Sequence, residues 1–359
     1  MAEKILAAMS GGVDSAVAAM LMKRAGYDCI GVTMKLFGNE EIGLRKEHSC
    51  CSLDDVEDAR SVARKLGIPY YVFNFSDRFE ETVIRRFIDA YERGETPNPC
   101  IDCNRYLKFD ALFRRAQELG CNKIITGHYA GIEWDRKSGR YRLLRGIDPA
   151  KDQSYVLWTM TQEQLAHTIF PLHTLTKEKV RQLAEENGLV NAQKHDSQDI
   201  CFVPDGDYAS FVERYTGKTY PCGNFVDLDG KVLGRHKGII HYTVGQRRGL
   251  GLALPAPLYV ASIDPASNEV VLAPDDALFS KELTAKDINL ISVSRIEGEI
   301  RLQAKVRYRH TPAWATVTQP EPDTLHVVFD EPQRAITKGQ SVVFYDGDAV
   351  FGGGIITEK

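Results

Sequence analysis

No stretch of this sequence approaches the roughly 18 apolar residues that a membrane span requires. Nor does its start, MAEKILAAMSGG, run in the order of charged region, apolar core and cleavage site that marks a secretory signal. The expectation is a cytoplasmic protein with no membrane partner. An excess of one charge is also missing: 45 Lys and Arg against 49 Asp and Glu leave a formal −4. That argues against indiscriminate nucleic-acid binding, because counterion release needs several basic groups at phosphates, but it leaves room for a local basic face. Eight cysteines scattered over 359 residues make a poor disulfide framework, so reactive thiols or metal ligands are the options. Cys100 and Cys103 form a CxxC without a second CxxC or a paired HxxxH, whereas structural zinc normally takes four ligands.

What is present is an ordinary globular composition, 43% hydrophobic and 26% charged, in a length that suggests two or three domains. The first ~130 residues alternate strand and helix patterns, as a parallel sheet with crossover helices would. Residues 4–9 read as a buried strand. Val13, Val17, Met20 and Leu21 then share a helical face that stops at Gly26. Strands at 29–34 and 70–73 follow, with a helix after Ser52 between them and another over 79–91. Pro97 and Pro99 exclude regular helix from 95–104, a helix returns over 105–119, and 123–125 lead into Gly127-His128-Tyr129 at a strand end. In open α/β sheets ligands sit beyond such ends. From Tyr208 the pattern becomes short strands and Gly turns, including a hairpin at Asp229-Gly230. Beyond Leu283 it is nearly all β, with Ile300, Leu302, Ala304, Val306 and Tyr308 alternating with Arg301, Gln303, Lys305 and Arg307.

Ser10-Gly11-Gly12-Val13-Asp14-Ser15 lies between the first strand and the first helix. Glycines let backbone N–H groups approach an anion, and a helix N-terminus favours negative charge. No lysine follows in Walker spacing, so this is not a P-loop. The string resembles the loop of the PP-loop ATP pyrophosphatases. That resemblance implies an ATP loop of Ala8, Met9, Ser10, Gly11, Gly12, Val13, Asp14 and Ser15, with Met34 and Gly127 beside the adenosine and Asp14 aiding Mg2+.

Further strings narrow the likeness: Cys50-Cys51-Ser52, Thr96-Pro97-Asn98-Pro99 with Cys103-Asn104, Thr126-Gly127-His128-Tyr129, Lys151-Asp152-Gln153-Ser154-Tyr155, Asp199-Ile200-Cys201-Phe202 and Thr243-Val244-Gly245-Gln246-Arg247-Arg248. In this order they resemble the tRNA-specific 2-thiouridylase family. The resemblance implies an α/β PP-loop domain with a parallel sheet over 1–207, a small β-rich central domain over 208–280 and a C-terminal β-barrel over 281–359. It also implies an ATP-dependent sulfurtransferase that adenylates the C2 oxygen of the wobble uridine. Cys201 would carry a persulfide, and Cys103 would be the nucleophile that closes a disulfide with it. Asn98, Pro99 and Cys100 would line the target base. His128, Lys151, Asp152, Gln153, Arg307, Tyr308 and Gln340 would touch tRNA, His128 being equally readable as a core histidine.

The implied partners are tRNA with Lys, Glu and Gln acceptors and a sulfur donor, either a cysteine desulfurase or a persulfide relay. Basic runs suit an RNA backbone: Arg136, Lys137, Arg140, Arg142, Arg145 and Lys151, and five Lys or Arg without an acid over 231–248. Cys100 stands where family members carry Asp. With Cys103 and Cys201 it makes a second option, three thiolates on a [4Fe-4S] cluster with one iron open, although a disulfide needs only two thiols to meet. The rival enzyme is a small-molecule PP-loop ligase of the argininosuccinate or GMP synthetase type, which needs neither Cys103 nor Cys201. The non-enzymatic rival is a tRNA-binding protein with a vestigial nucleotide loop.

Overall fold

The computed structural model describes residues 2–38, 53–194 and 200–359. Cys50, Cys51, Ser52 and Asp199 lie outside the described residues. The chain divides into two compact units, the first made of Met1–Val83, Cys100–Gly206 and Gly347–Phe351, the second of Ile84–Pro99, Asp207–Asp346 and Gly352–Lys359.

The first unit is built on a parallel sheet. Strands β1 (Lys4–Ala8), β2 (Asp28–Lys35), β3 (Tyr70–Asn74), β4 (Lys123–Ile125) and β7 (Thr168–Ile169) lie in the order β3-β2-β1-β4-β7, every neighbouring pair parallel. Ile5, Leu6 and Ala7 of the central strand are buried on both sides, as covered parallel sheets require; at the edge, Tyr71 and Val72 are exposed. Helices α1 (Val13–Arg24) and α2 (Leu53–Leu66) follow the expected positions. Because β2 lies on one side of β1 and β4 on the other, the strand order reverses at β1. The loops after β1 and β4 therefore flank a topological switch point, where such sheets bind ligands. An antiparallel hairpin, β5 (Ala130–Asp135) and β6 (Arg140–Arg145), completes the unit.

Two segments differ from expectation. The Pro-rich stretch does not stay irregular: Pro99–Asp102 is helical and runs into a π-helical segment, Cys103–Ala111. Proline is tolerated at the first position of a helix, where its missing N–H would have had no partner. Tyr208–Thr216, read as the start of β structure, is a helix. Asp207 caps it by accepting from the Ser210 N–H at 3.0 Å, and Gly217, at φ +65°, ends it in the left-handed region.

In the second unit, β8 (Gly223–Val226), β9 (Val232–His236), β10 (Tyr259–Asp264) and β11 (Glu269–Ala273) form a small sheet, with the expected hairpin between β8 and β9. Strands β12 (Phe279–Leu290), β13 (Ile300–Lys305), β14 (Ala313–Glu321), β15 (Thr324–Arg334), β16 (Ser341–Asp346) and β17 (Ala349–Glu358) make a closed barrel in the order β12-β15-β14-β13-β16-β17, shut by pairing of β17 with β12. Closure depends on small residues at the seam. A Cβ on Gly352 would stand 2.5 Å from the Asn289 carbonyl oxygen. The alternation from Ile300 ends with β13 at Lys305, short of Tyr308, because 306–309 turn and the His310 N–H closes on the Arg307 carbonyl.

Candidate nucleotide and thiol site

The nucleotide loop is fixed from its base upward. The Met9 carbonyl accepts from Thr33 Oγ1 at 2.6 Å, and Thr33 Oγ1 accepts in turn from the Tyr70 hydroxyl at 2.7 Å. Gly11, at φ +77°, packs so closely on the Asp55 backbone that a Cβ would collide with it. Its carbonyl accepts from Asn191 Nδ2 at 2.9 Å. Gly12 caps α1 without a side-chain bond, leaving the first N–H groups of the helix for an anion. Ser15 Oγ donates to the Gly12 carbonyl at 3.0 Å and accepts from the Ser10 N–H at 3.1 Å, holding the loop closed. On the neighbouring strand end Gly127 leaves a narrow gap, in which a Cβ would come within 2.7 Å of the Asp14 carbonyl carbon and the Ser15 nitrogen. Ala8 closes β1, and Met34 is half-buried on β2 opposite Phe73.

Asp14 is the charged centre of this arrangement. Its carboxylate accepts from Lys177 Nζ at 2.7 and 2.8 Å and from the Tyr129 hydroxyl at 2.7 Å. Lys177 opens the helix Lys177–Glu186 and is only 9% exposed. The ammonium that the loop lacks at Walker spacing thus comes from 163 residues away. No sequence signal marked Lys177 or Asn191, whereas Tyr129 lay in a recognised string. One carboxylate beside a triphosphate is a donor set that suits Mg2+, which binds through few carboxylates together with phosphate oxygens.

The thiols lie on other segments of the chain. Cys103 heads the π-helical segment and is half-buried. Burial pushes its thiol up, Lys108 opposes the shift and Asp102 adds to it. Its neighbour Asn104, 1% exposed, donates to the Val156 carbonyl at 3.0 Å, anchoring the turn that presents the thiol. Cys201 is half-buried beside Phe202, whose ring packs edge-on against Phe79 at 5.6 Å, with Phe37 5.7 Å beyond. Cys100 is exposed. Among the described residues no disulfide is formed, and no group of three or more His, Cys, Asp or Glu side chains could hold a metal ion. Cys100, Cys103 and Cys201 therefore present no formed iron–sulfur site.

The residues expected at tRNA have varied surroundings. His128 is 6% exposed, 5.9 Å from the Phe109 ring and 5.7 Å from Phe170, with Nδ1 2.6 Å from Thr126 Oγ1. Burial holds its pKa well below the ordinary value, so the ring is neutral at physiological pH. Asp152 accepts from the Gly146 and Ser154 N–H groups, while Gln153 pairs with both the N–H and the carbonyl of Tyr129. These two side chains brace the loop, and Lys151 precedes them. In the second unit Gln340 Nε2 donates to the Thr96 carbonyl at 2.7 Å, and the Thr96 N–H donates to Lys338. That clamps the segment leading to Asn98 and Pro99. Arg307 donates to the Arg334 carbonyl at 3.1 Å, and Tyr308 is exposed with Lys305 over its ring at 5.8 Å.

Comparison with known proteins agrees with this architecture. A model of the tRNA methyl transferase HUP domain matches residues 3–205, one of the corresponding PRC-barrel domain residues 209–274, and one of the aminomethyltransferase beta-barrel domain residues 280–356. The tRNA-specific 2-thiouridylase MnmA of Clostridioides difficile (strain 630) is 52% identical over 359 residues, covering 100% of this chain and 99% of that protein. Its namesake from Acetivibrio thermocellus is 53% identical over 356 residues, 99% of each. The chain belongs to the tRNA-specific 2-thiouridylase family. The resemblance carried by the ordered strings is thereby borne out, as is the fold class: a parallel-sheet domain, a central domain and a closed β-barrel. Membership also frames Lys177, Tyr129 and Asn191, which hold the family's nucleotide loop here although none of them belongs to it.

Proposed function

We propose that this 2-thiouridylase-family protein converts the wobble uridine of tRNA, position 34, to 2-thiouridine, using ATP and persulfide sulfur. The observation that carries the reading is the loop between β1 and α1. It has open helix N–H groups, a left-handed glycine seated on α2 and an imported lysine, at the switch point of a chain whose relatives over its full length bear that name. The N–H groups and Lys177 would bind the triphosphate, and Asp14 would orient the magnesium that accompanies it. The uridine C2 oxygen attacks the α-phosphorus and pyrophosphate leaves, turning a poor leaving group into AMP.

Sulfur arrives on Cys201 as Cys–S–SH from a donor, a cysteine desulfurase or a persulfide relay protein. Cys103 forms a bond to Cys201 Sγ and the terminal sulfur leaves that atom, either as hydrosulfide before it adds to C2 or after it has done so. In both orders AMP departs from C2, and a Cys103–Cys201 disulfide remains for a dithiol to reduce. Lys151, Arg307 and Tyr308 would contact the tRNA, with lysine, glutamate and glutamine acceptors as substrates, and Asn98, Pro99 and Cys100 would line the base; His128, enclosed by Phe109 and Phe170, takes the core reading. No step is assigned to an iron–sulfur cluster, since the three thiols present no formed site for one. Mass spectrometry of tRNA nucleosides after incubation with ATP, magnesium and a sulfur source tests the reading. Absence of 2-thiouridine from competent tRNA, with ATP still hydrolysed, would favour the rival small-molecule ligase. Retained thiolation in Cys100→Asp is expected, and its loss together with bound iron would replace the persulfide route.

A further inference from the structure

The β5–β6 hairpin carries a feature that none of this chemistry uses. Its register sets Trp134 opposite Tyr141, with Ile132 opposite Leu143 two positions nearer the base on the same face. Leu143 is fully buried, whereas Trp134 is 52% exposed. The face that packs inward at its base thus opens to solvent at its outer end. There the two rings meet edge to face, centroids 4.8 Å apart at 64°. Together the two rings present an aromatic face with a polar edge at the open end of the hairpin.

The mount is rigid. The Gln162 side chain bonds both the N–H and the carbonyl of Tyr141, at 2.8 and 2.9 Å. It rises from a helix, Gln162–Ala166, that carries a complete capping box. At the tip Asp135 accepts from the Lys137 and Ser138 N–H groups, and Gly139, at φ +65°, makes the turn. The Asp135 carboxylate is thereby committed to the turn, and Arg136 and Lys137 project exposed beside it. Arg142 pairs with Glu133 at 2.8 Å on the opposite face.

We propose that this hairpin is an RNA-stacking surface, on which Trp134 receives an unpaired base of the tRNA while Arg136 and Lys137 hold the adjoining phosphates. The proposal rests on the tRNA reading above. Three observations favour RNA over a protein. Over 130–145 five basic residues face two acidic ones, a local +3 in a chain of −4, so the complement is a polyanion. An aromatic ring with a cationic rim is how single-stranded nucleic acid is gripped without sequence readout. And the base of the hairpin is joined to the expected tRNA residues, Tyr129 bonding Gln153 through both its N–H and its carbonyl.

Tryptophan emission tests this directly, because Trp158 is fully buried and only Trp134 and Trp314 are half-exposed. Titration of tRNA into the parent should quench a component that Trp134→Phe lacks and Trp314→Phe retains. Trp134→Ala should weaken tRNA binding about tenfold, within the range of one base–aromatic stack, and Trp134→Phe should recover most of it. The double variant Arg136→Ala, Lys137→Ala should lower the salt slope of binding by about 1.5. Equal quenching, affinity and slope in parent and variants overturn the proposal. So does a Trp134→Ala variant that binds tRNA normally but needs more sulfur-donor protein, which would assign the surface to the donor. The parent is measured first: if it neither binds nor thiolates tRNA, the proposed function fails, whereas a thiolating parent with indifferent variants sinks only the hairpin.

Discussion

The nucleotide loop and the two thiols serve one proposed reaction and are held in opposite ways. Around the loop the contacts come from remote parts of the chain: Tyr129 and Lys177 at the Asp14 carboxylate, Gly127 against its backbone, Asn191 and Asp55 at Gly11. Around Cys103 and Cys201 it is the neighbouring residue that is anchored, Asn104 on the Val156 carbonyl and Phe202 against the Phe79 ring. The difference fits what each must do. Charge developing on phosphate is stabilised by dipoles and cations set in advance, whereas sulfurs that load, transfer and join need access. Two regions built this way should break differently.

The largest effect should come from the thiols. Cys201→Ser or Cys103→Ser should abolish 2-thiouridine formation, because a hydroxyl neither carries sulfane sulfur nor resolves a persulfide. Pyrophosphate release should survive in both, and only Cys201→Ser should lose the protein-bound persulfide seen by mass spectrometry after loading. Thiolation at the parent rate in either variant ends the division of roles.

Next come the charges at the loop. Asp14→Asn and Lys177→Met should each reduce pyrophosphate release by a hundredfold or more, as misplaced charge stabilisation does. Their stabilities should diverge from those of the thiol variants. Asp14→Ala leaves the Lys177 ammonium nearly enclosed without its counter-ion, which costs about 3 kcal/mol and lowers the melting temperature. Cys201→Ser should leave it within a degree or two. Equal melting temperatures for parent and Asp14→Ala would mean that the pair contributes nothing to the fold.

A smaller effect on the same loop is expected from Gly127→Ala. The methyl would sit 2.7 Å from backbone atoms of Asp14 and Ser15, where no side chain can yield. The start of α1 must therefore shift by several tenths of an ångström. The KM for ATP should rise roughly tenfold, on the scale that small misplacements cost in positioned sites, with persulfide loading of Cys201 unaltered. An unchanged KM would show that the gap between the two strand ends is not part of the nucleotide site.

What was legible in the sequence is what is contiguous in it. Ser10 to Ser15 and the strings around the cysteines are contiguous and could be read directly. The parallel sheet followed from strand and helix periodicity. Lys177 could not be found, because a lysine at the start of an amphipathic helix looks like any other and only the fold brings it to Asp14. The helix Tyr208–Thr216 was legible in principle from Asp207 and Gly217, its two caps. The Gly-rich turns that follow outweighed it. The start of helix at Pro99 was obscured by applying proline's interior penalty to a position where none applies.

Acid should discriminate more gently. His128 and His310 are both held neutral, the first by burial, the second, at about 4, by burial together with Arg307 and Lys305. An unfolded histidine takes up its proton near 6.5. Between that value and the folded one the unfolded state binds more protons, so this stability is complete above about 6.5 and is lost as the pH falls. The slope is at most about 1.4 kcal/mol per pH unit for each ring, and less for the partly solvated His310. His128→Gln should flatten the fall in melting temperature between pH 6.5 and 5. A parallel curve would mean that His128 is not enclosed as described.

The smallest predicted effect lies on the barrel, where Arg307 and Tyr308 stand in a turn beyond β13. Arg307 bonds the Arg334 carbonyl, and Arg334 is paired with Asp275 at 2.7 Å and lies over Tyr259 at 5.0 Å. The turn is therefore braced on both sides, and removing one guanidinium should not unfold it. If Arg307 meets a phosphate, Arg307→Ala should reduce the slope of log affinity against log salt by about 0.7 to 0.9, the contribution of one contact, with a loss of affinity that shrinks as salt rises. Lys151→Ala offers the same measurement on the first unit. A solvated surface arginine would leave the slope unchanged, because only ions released by the complex enter it. An unaltered slope in both variants would remove Arg307 and Lys151 from the RNA footprint.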